Sequence, residues 1–586
     1  MNLFKVTPMK STRTGALQLA LVILLAGVVA ACGGGGTTPV TASGGAMRPL
    51  PADFSTRKAV AYSPYRTATG PAQLDAEVIT EAQVKEDLDL LVKAGFGLIR
   101  LFGSSDKVAR QTLQVIFKYG IDIKVQLGAY TGGDVYVTDA ERAVIEANNQ
   151  AEIQRAIALA KQYRDIGIAV SVGNETQVDF SGVRTKPETL ARYLKTVRDQ
   201  ISQPVTTDDN WAPFASPNTA ILETIDFVSM HTYAQLDSYF QPDLFDWKQL
   251  AVPAAGRAQA MANANLAEAR RQYGEVRAAL DKRGLTNMPV TIGETGWNVV
   301  DPKLPFRTHP VNQKMYFDGL QAWAAEGRNG NGPKAIIYFE AFDEQWKQSD
   351  DGWGLFNKNR QARYVIQGLG TCGTTWVCEP GTYTTASAVY YALAVPNTAV
   401  TASKYRIYTE APAGSGTEVA AADLRVDAFS GDSVQRPEVT STFAPNDGGH
   451  SIEITPTPKD YGWGLLWQSA VGATENLSAY AATGTVNFSI KTTYEGRIEV
   501  GIASDTVDRA GAEAYLQIAS GQYGYRNNGE WVQVSIPLSA FKAANPKLDL
   551  SLVTLRFIIA DRWAQTGNFA RTGLPKLYLD GIYLAK

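Results

Sequence analysis

The chain has 586 residues, 45% of them hydrophobic and 19% charged, which is too long for one hydrophobic core and calls for two or three domains. A net charge of −3 supplies no basic field, which argues against a nucleic-acid partner. Three histidines (His231, His309 and His450) and three cysteines leave almost no ligands for a catalytic transition metal, and no cofactor is expected.

In chain order, Lys5, Lys10 and Arg13 precede an apolar run from Ala16 to Ala31, and small residues lead into Cys32. This reads as a signal peptide over 1–31 and not as fold. It resembles a bacterial lipoprotein signal, which implies that Cys32 is lipidated and that its acyl chains anchor the protein in the membrane. Ordinary secretory cleavage beside a chance cysteine is the alternative. The Gly/Thr/Ser-rich stretch 32–52 is then a tether, and Gly33 after the cysteine favours the outer membrane of a bacterial envelope.

Beyond the tether, amphipathic helices, glycine stops and short apolar strands alternate. Lys58 to Ser63 reads as a first strand, and Thr80-x-x-Gln83 as a capping box opening a helix with Val84, Leu88, Leu91 and Val92 on one face. Strand Leu98 to Phe102 follows, then a helical stripe of Val108, Val115, Ile116 and Tyr119, then the extended run Ile121 to Leu127. A helix from Gln150 to Arg164 leads into the strand ending at Glu175. Pro187 opens the next helix, and the strands Val205 to Thr207 and Ile225 to Met230 follow. Helix Arg257 to Lys282 precedes the strand bearing Glu294, and helix Asn312 to Glu326 precedes an eighth strand, Ala335 to Phe339. Eight such units over roughly 300 residues predict an α/β fold, a (β/α)8 TIM barrel over 53–365, with a doubly wound open sheet as the alternative.

Two apolar strands end in a glutamate: Val172-Gly173-Asn174-Glu175 and Ile292-Gly293-Glu294-Thr295-Gly296-Trp297. A carboxylate at the end of a buried strand is costly unless it is solvated, paired or used. Ending strands four and seven of a barrel, the two would face each other across a sugar bond, one as acid/base and one as nucleophile. Together with Phe342-Asp343-Glu344-Gln345-Trp346-Lys347 and Trp353-Gly354-Leu355-Phe356, these motifs resemble glycoside hydrolase family seventeen over about residues 58 to 360.

That resemblance implies a retaining endo-β-1,3-glucanase acting on laminarin-like glucan, with Glu175 as acid/base and Glu294 as nucleophile. Glu175 must then hold a proton near neutral pH. Glu294 must stay ionised, with Arg100 and Tyr233 as candidate donors, and Asn174 is placed for the sugar 2-hydroxyl. Trp297 is expected to floor one sugar ring, and Tyr62, Phe339, Glu344 and Lys347 resemble subsite positions, with packing at the barrel mouth as the alternative for each aromatic. His231 reads as a core or rim histidine. The run His231-Thr232-Tyr233-Ala234 departs from the Asn-x-Tyr-Pro pattern usual in the plant enzymes, which leaves subsite preference open.

Cys372 and Cys378 can pair in an exported protein, within a connector over 366–402. From 403 to 586 the pattern is all-β: Val486-x-Phe488-x-Ile490, Ile498-x-Val500-x-Ile502, Val532-x-Val534-x-Ile536 and Leu577-x-Leu579 predict a β-sandwich. Appended to a glycosidase it looks like a carbohydrate-binding module, with Trp463, Trp467, Tyr523, Tyr525, Trp531 and Trp563 as platform or core residues. Its acidic loops leave room for a structural calcium to which no ligands can be assigned. Two rival readings stay open: a β-1,3-glucanosyltransferase using the same glutamates, and a non-catalytic lipoprotein that captures polysaccharide. Retention of both glutamates beside Asn174 and Trp297 weighs against the second.

Overall fold

A computed structural model describes residues 46–586 except 136, 242–243, 302–303, 331, 348–351, 393–395, 410–417, 423, 430–432, 437, 441–448, 458–461, 470–472, 506–511 and 565–573. The signal peptide, Cys32 and the first part of the tether lie outside the described residues. None of the described helices is long and apolar enough to cross a membrane.

The apolar runs form eight parallel strands: β1 (Lys58–Ala61), β2 (Phe96–Arg100), β3 (Lys124–Ala129), β4 (Gly167–Asn174), β5 (Val205–Asn210), β6 (Val228–His231), β7 (Val290–Thr295) and β8 (Ile336–Tyr338). Each pairs with the next and β8 pairs with β1, so the sheet closes into a barrel and has no free edge. The open-sheet alternative is thereby ruled out. Helices cover the outside as the periodicity requires. Helix Glu81–Lys93 begins at Thr80, whose hydroxyl accepts from the Gln83 amide while the Gln83 side chain accepts from the Thr80 amide. Helix Gln111–Tyr119 ends on Gly120, at φ +59, the left-handed conformation that glycine adopts without steric cost.

The unit begins earlier than the composition suggests. Part of the stretch predicted as tether packs on the barrel: the Arg48 amide donates to Asp226 Oδ1 at 2.8 Å and Arg48 Nη1 donates to the Gln203 carbonyl at 2.8 Å. Phe54 is wholly buried against Phe227, closing the floor below Ala59, Leu98 and Ala169. At the other end of the unit, Tyr391 packs on Trp247 and Phe306, and the chain divides into two compact units between Tyr391 and Ala392. Cys372 and Cys378 are joined, with Cα atoms 5.4 Å apart.

A buried charge cluster on Asp87 joins segments on either side of the closing β8–β1 pair. Arg360 binds it with two hydrogen bonds of 2.9 and 3.0 Å, Arg66 Nη2 donates at 2.5 Å and the Tyr62 hydroxyl at 3.2 Å, tying β1, helix Glu81–Lys93 and the segment after β8 together. Removing Asp87 leaves the buried Arg360 guanidinium without its carboxylate, while Arg66 keeps Glu86. Asp87→Ala is therefore expected to cost about 3–5 kcal/mol, read as a lower midpoint in urea unfolding.

Several elements differ from the sequence-based expectation. The helix expected from Gln150 starts at Asp139, behind a Thr138/Glu141 capping box. Val92 and Tyr119, placed inward by periodicity, are exposed, and Tyr119 donates instead to Glu81. Strand β5 continues through Asp208, Asp209 and Asn210, beyond the expected end at Thr207.

The second unit is all-β. A five-stranded antiparallel sheet runs in the order Arg425–Ala428, Trp463–Gln468, Val553–Asp561, Ile498–Ser504, Ala512–Ile518. It packs its inner face on a second sheet that includes Lys404–Tyr408, His450–Pro456, Thr485–Thr492, Trp531–Pro537 and Leu577–Ala585. Trp463, Trp467 and Tyr525 lie in the core between the sheets and are not platforms, because a sandwich buries its inward aromatics. Tyr523 and Trp563 are exposed, and Trp531 is half-buried. Among the described residues of this unit no three His, Cys, Asp or Glu side chains gather as a cation site would require.

Candidate active site

The C-terminal ends of the strands bring the polar residues to one mouth. Local irregularities there turn side chains into it: the pairing registers slip between Ser171 and Asn174, between Met230 and His231, and between Ile292 and Thr295. Glu175 itself has φ +49, a left-handed conformation that costs a non-glycine residue about 1–3 kcal/mol. Its amide is held by the Asp208 carbonyl at 2.8 Å, and across β6 and β7 His231 pairs with Glu294.

One carboxylate oxygen of Glu175, one of Glu294 and a ring nitrogen of His231 all lie within 4.8 Å of one another. The two carboxyls differ in environment. The Glu175 side chain is 29% exposed and that of Glu294 only 7%. Arg100 Nη1 donates to Glu294 Oε1 at 2.5 Å and the Tyr233 hydroxyl donates to Oε2 at 2.9 Å, so both donors inferred from the sequence meet the residue they were assigned. Burial pushes the Glu294 carboxyl up, but the charges of His231 and Arg100 and the bonds from Arg100 and Tyr233 outweigh it, leaving the group below the ordinary carboxylate value.

His231 is more than a core or rim residue. It is wholly buried, with Nδ1 3.1 Å from Glu175 Oε1 and 3.7 Å from Glu294 Oε2. Burial lowers its basicity, but the Glu294 charge and the Glu175 hydrogen bond raise it further, so the imidazole sits above its ordinary value. Asn174 Oδ1 accepts from Arg100 Nη2 at 2.5 Å, which leaves its amide NH2 as the group to present to a ligand.

Two expected subsite residues lie elsewhere. Trp297 is wholly buried, its indole N–H donates to the Arg307 carbonyl at 3.0 Å, and its ring packs on Tyr316 with centroids 5.2 Å apart. The preceding Gly296 lies so close to β8 that a Cβ there would come within 2.1 Å of the Phe339 carbonyl oxygen, and the chain then carries Trp297 into the layer under helix Pro310–Arg328. Trp297 is thus a core residue and not a sugar floor. Tyr62 is likewise buried, with its hydroxyl on Asp87. Phe339 does reach the mouth, where it meets Tyr233 at 6.2 Å, Trp353 at 5.8 Å and Phe102 at 6.3 Å between ring centroids. Trp353, in one of the family-like motifs, and Phe102, at the end of a strand, are not among the subsite residues that the sequence suggests. Lys347 Nζ stands 4.5 Å above the Phe339 ring and is paired with Glu344 and, at 3.3 Å, with Glu340 Oε2. Burial pushes Glu344 up, yet Lys347 and its hydrogen bonds hold it below the ordinary value.

The barrel mouth thus holds one shielded carboxylate against a second, partly exposed one, and the match of the barrel to a family model places the protein among the glycoside hydrolases. Residues 59–355 match the profile of the BtgE/BtgC glycoside hydrolase domain, and residues 405–569 match carbohydrate binding domain 30. The chain belongs to the BtgE/BtgC glycoside hydrolase family.

Among curated proteins it is similar to a glucan 1,3-beta-glucosidase of Saccharomyces cerevisiae, 27% identical over 176 residues that make up 28% of this chain and 47% of that one, so the match spans about half the relative's length. Among solved structures it is similar to an endo-laminarinase from Formosa Hel1_33_131, at 22% identity and TM-score 0.49, covering 57% of this chain and 92% of that one. The second unit is similar to the family 30 carbohydrate-binding module of a Clostridium thermocellum cellulosomal cellulase, at 20% identity and TM-score 0.23, covering 31% of this chain and 97% of that one.

Proposed function

We propose that the protein is a retaining endo-β-1,3-glucanase that cleaves laminarin-like glucan through a glycosyl-enzyme on Glu294. The observation that carries the reading is the spacing: one oxygen of Glu175 and one of Glu294 lie within 4.8 Å of each other, which supports a retaining pair, at roughly 5–5.5 Å between carboxyls, over an inverting pair at roughly 6.5–9.5 Å. In the first step the Glu294 carboxylate attacks the anomeric carbon while Glu175 gives its proton to the departing glycosidic oxygen. In the second, Glu175, now a carboxylate, takes a proton from water as that water displaces Glu294, and both groups return to their starting states. The Asn174 amide would hold the sugar 2-hydroxyl, and Phe339, Trp353 and Phe102 would line the cleft with rings.

The β-1,3 linkage is supported by the family-seventeen motifs, and by the names of the yeast glucosidase and the Formosa laminarinase for what those proteins act on. The second unit would carry the enzyme onto polysaccharide. The lipoprotein-type leader supports anchoring in the cell envelope through Cys32.

The test is to incubate the protein with laminarin and with reduced laminari-oligosaccharides and to follow product masses. Shorter chains are expected. Longer chains would assign a glucanosyltransferase, and unchanged chains that remain bound would assign capture. The donor role of Tyr233 gives a pH test. Tyr233→Phe removes a hydrogen bond to a charged oxygen, which contributes about 1.5–3 kcal/mol. Losing a donor to the ionised form favours protonation, so the acid limb of kcat/KM is expected to move to higher pH.

A further inference from the structure

Strand β5 supplies neither catalytic glutamate, yet it is the most polar of the eight strands where it should be the most costly. Thr206, Thr207, Asp208 and Asp209 are all wholly buried. An ionised carboxylate in such a place costs several kcal/mol unless its oxygens are paired. Asp208 is paired on both: Oδ2 accepts from Arg100 Nε at 2.8 Å, and Gln126 Nε2 donates to the two oxygens at 3.0 and 3.2 Å.

The remaining donors of Arg100 show what that pairing controls. Nη1 reaches Glu294 Oε1 at 2.5 Å and the Gly293 carbonyl at 3.3 Å, and Nη2 reaches Asn174 Oδ1 at 2.5 Å. The guanidinium is a rigid fork, so fixing Nε fixes the other two contacts. The Asp208 carbonyl meanwhile accepts the Glu175 amide at 2.8 Å and holds that residue's left-handed backbone. Space for the carboxylate depends on Gly293, where a Cβ would come within 2.4 Å of Ser229 Oγ and 3.1 Å of Asp208 Oδ1.

We propose that Asp208 is the positioning residue for both glutamates: its carboxylate orients Arg100 and balances its charge, and its carbonyl sets the backbone of Glu175. The inference rests on the retaining reading of the site. Glu294 is faced by Arg100 from β2, by His231 and Tyr233 from the end of β6, and by Glu175 from the end of β4, with Asp208 behind Arg100 on β5. With Asp208 neutral, the full charge of Arg100 falls on Glu294 and makes it a weaker base and a poorer nucleophile.

Asp208→Asn isolates the charge. Arg100 Nε still meets an oxygen, and Gln126, whose Oε1 has no partner among the described residues, can turn its amide to accept from the new NH2. The expected result is a fall in kcat of roughly 10²-fold with KM within about twofold of wild type. The acid limb of kcat/KM moves to lower pH, and Tm stays near wild type. A lower Tm with an unmoved pH profile would reduce Asp208 to a structural residue and overturn the proposal.

Arg100→Lys keeps the charge but cannot span Asp208, Asn174 and Glu294 together, so full kcat in that variant would also overturn it, whether or not Asp208→Asn folds. If the wild-type protein cleaves no glucan, the proposed function fails and Asp208 is still tested without turnover. In protein carrying 13C at the glutamate carboxyls, the Glu294 titration midpoint moves down in Asp208→Asn if the proposal holds and stays in place if it does not.

Discussion

Glu294→Gln lowers kcat on laminarin by about 10⁴-fold or more, with folding and laminarin binding retained. The size follows from the chemistry: a carboxamide cannot form the glycosyl-enzyme, so the two-step route is lost and not merely slowed. The substitution keeps the shape that Arg100 and the Tyr233 hydroxyl enclose, and the amide oxygen can face one of those donors. Little of the effect should therefore appear as lost stability. Glu294→Ala opens space on the nucleophile's side of the sugar, where azide can attack. An α-glycosyl azide product, identified by mass and NMR, is the expected signature, and its absence together with a β-azide would reverse the assignment of the two glutamates.

Glu175→Gln lowers kcat on laminarin by roughly 10²–10⁴-fold, the range that a general acid and base supplies. The loss should depend on the leaving group. With a dinitrophenyl glycoside, which departs without a proton, the first step stays fast and the second is crippled, so a burst of phenolate precedes slow turnover. Azide added to Glu175→Ala should restore turnover and give the β-glycosyl azide, because it replaces water on the open face of the intermediate. A uniform loss on both substrates, with no burst, would mean that Glu175 holds the cleft together and does not transfer protons.

The barrel was legible because each of its signals is local. Capping residues, glycine stops and short apolar runs mark helices and strands one by one, and parallel strands joined by helices have few ways to close. Helix Asp139–Gln162 is longer than its apolar stripe from Gln150 suggests, and the Thr138/Glu141 capping box is the local signal of its start. The sequence marks β5 only to Thr207, since Asp208-Asp209-Asn210 has the composition of a turn. Backbone pairing with β4 and β6 makes those residues a strand, and Arg100 and Gln126 pair the buried Asp208 carboxylate.

The same limit applied at the site. Arg100 ends β2 and Tyr233 follows β6 by two residues, so the placement of both follows from register. Trp297 and Tyr62 take the packing alternative, because an aromatic next to such a motif carries no mark of the side to which its ring turns. For Trp297 the deciding fact is the close approach of Gly296 to Phe339. His231 was read as packing because a lone histidine at a strand end usually is. Its pairing with Glu294 across β6 and β7 and its reach to Glu175 exist only once the barrel closes.

The proposed retaining mechanism requires that no attacking water fits between Glu175, Glu294 and the sugar. The stereochemistry of the first product tests it most directly. Cleavage of a laminari-oligosaccharide followed by ¹H NMR at the anomeric protons is predicted to release the new reducing end as the β-anomer, with the α-anomer growing in later by mutarotation. Release of the α-anomer first would show inversion and contradict the account.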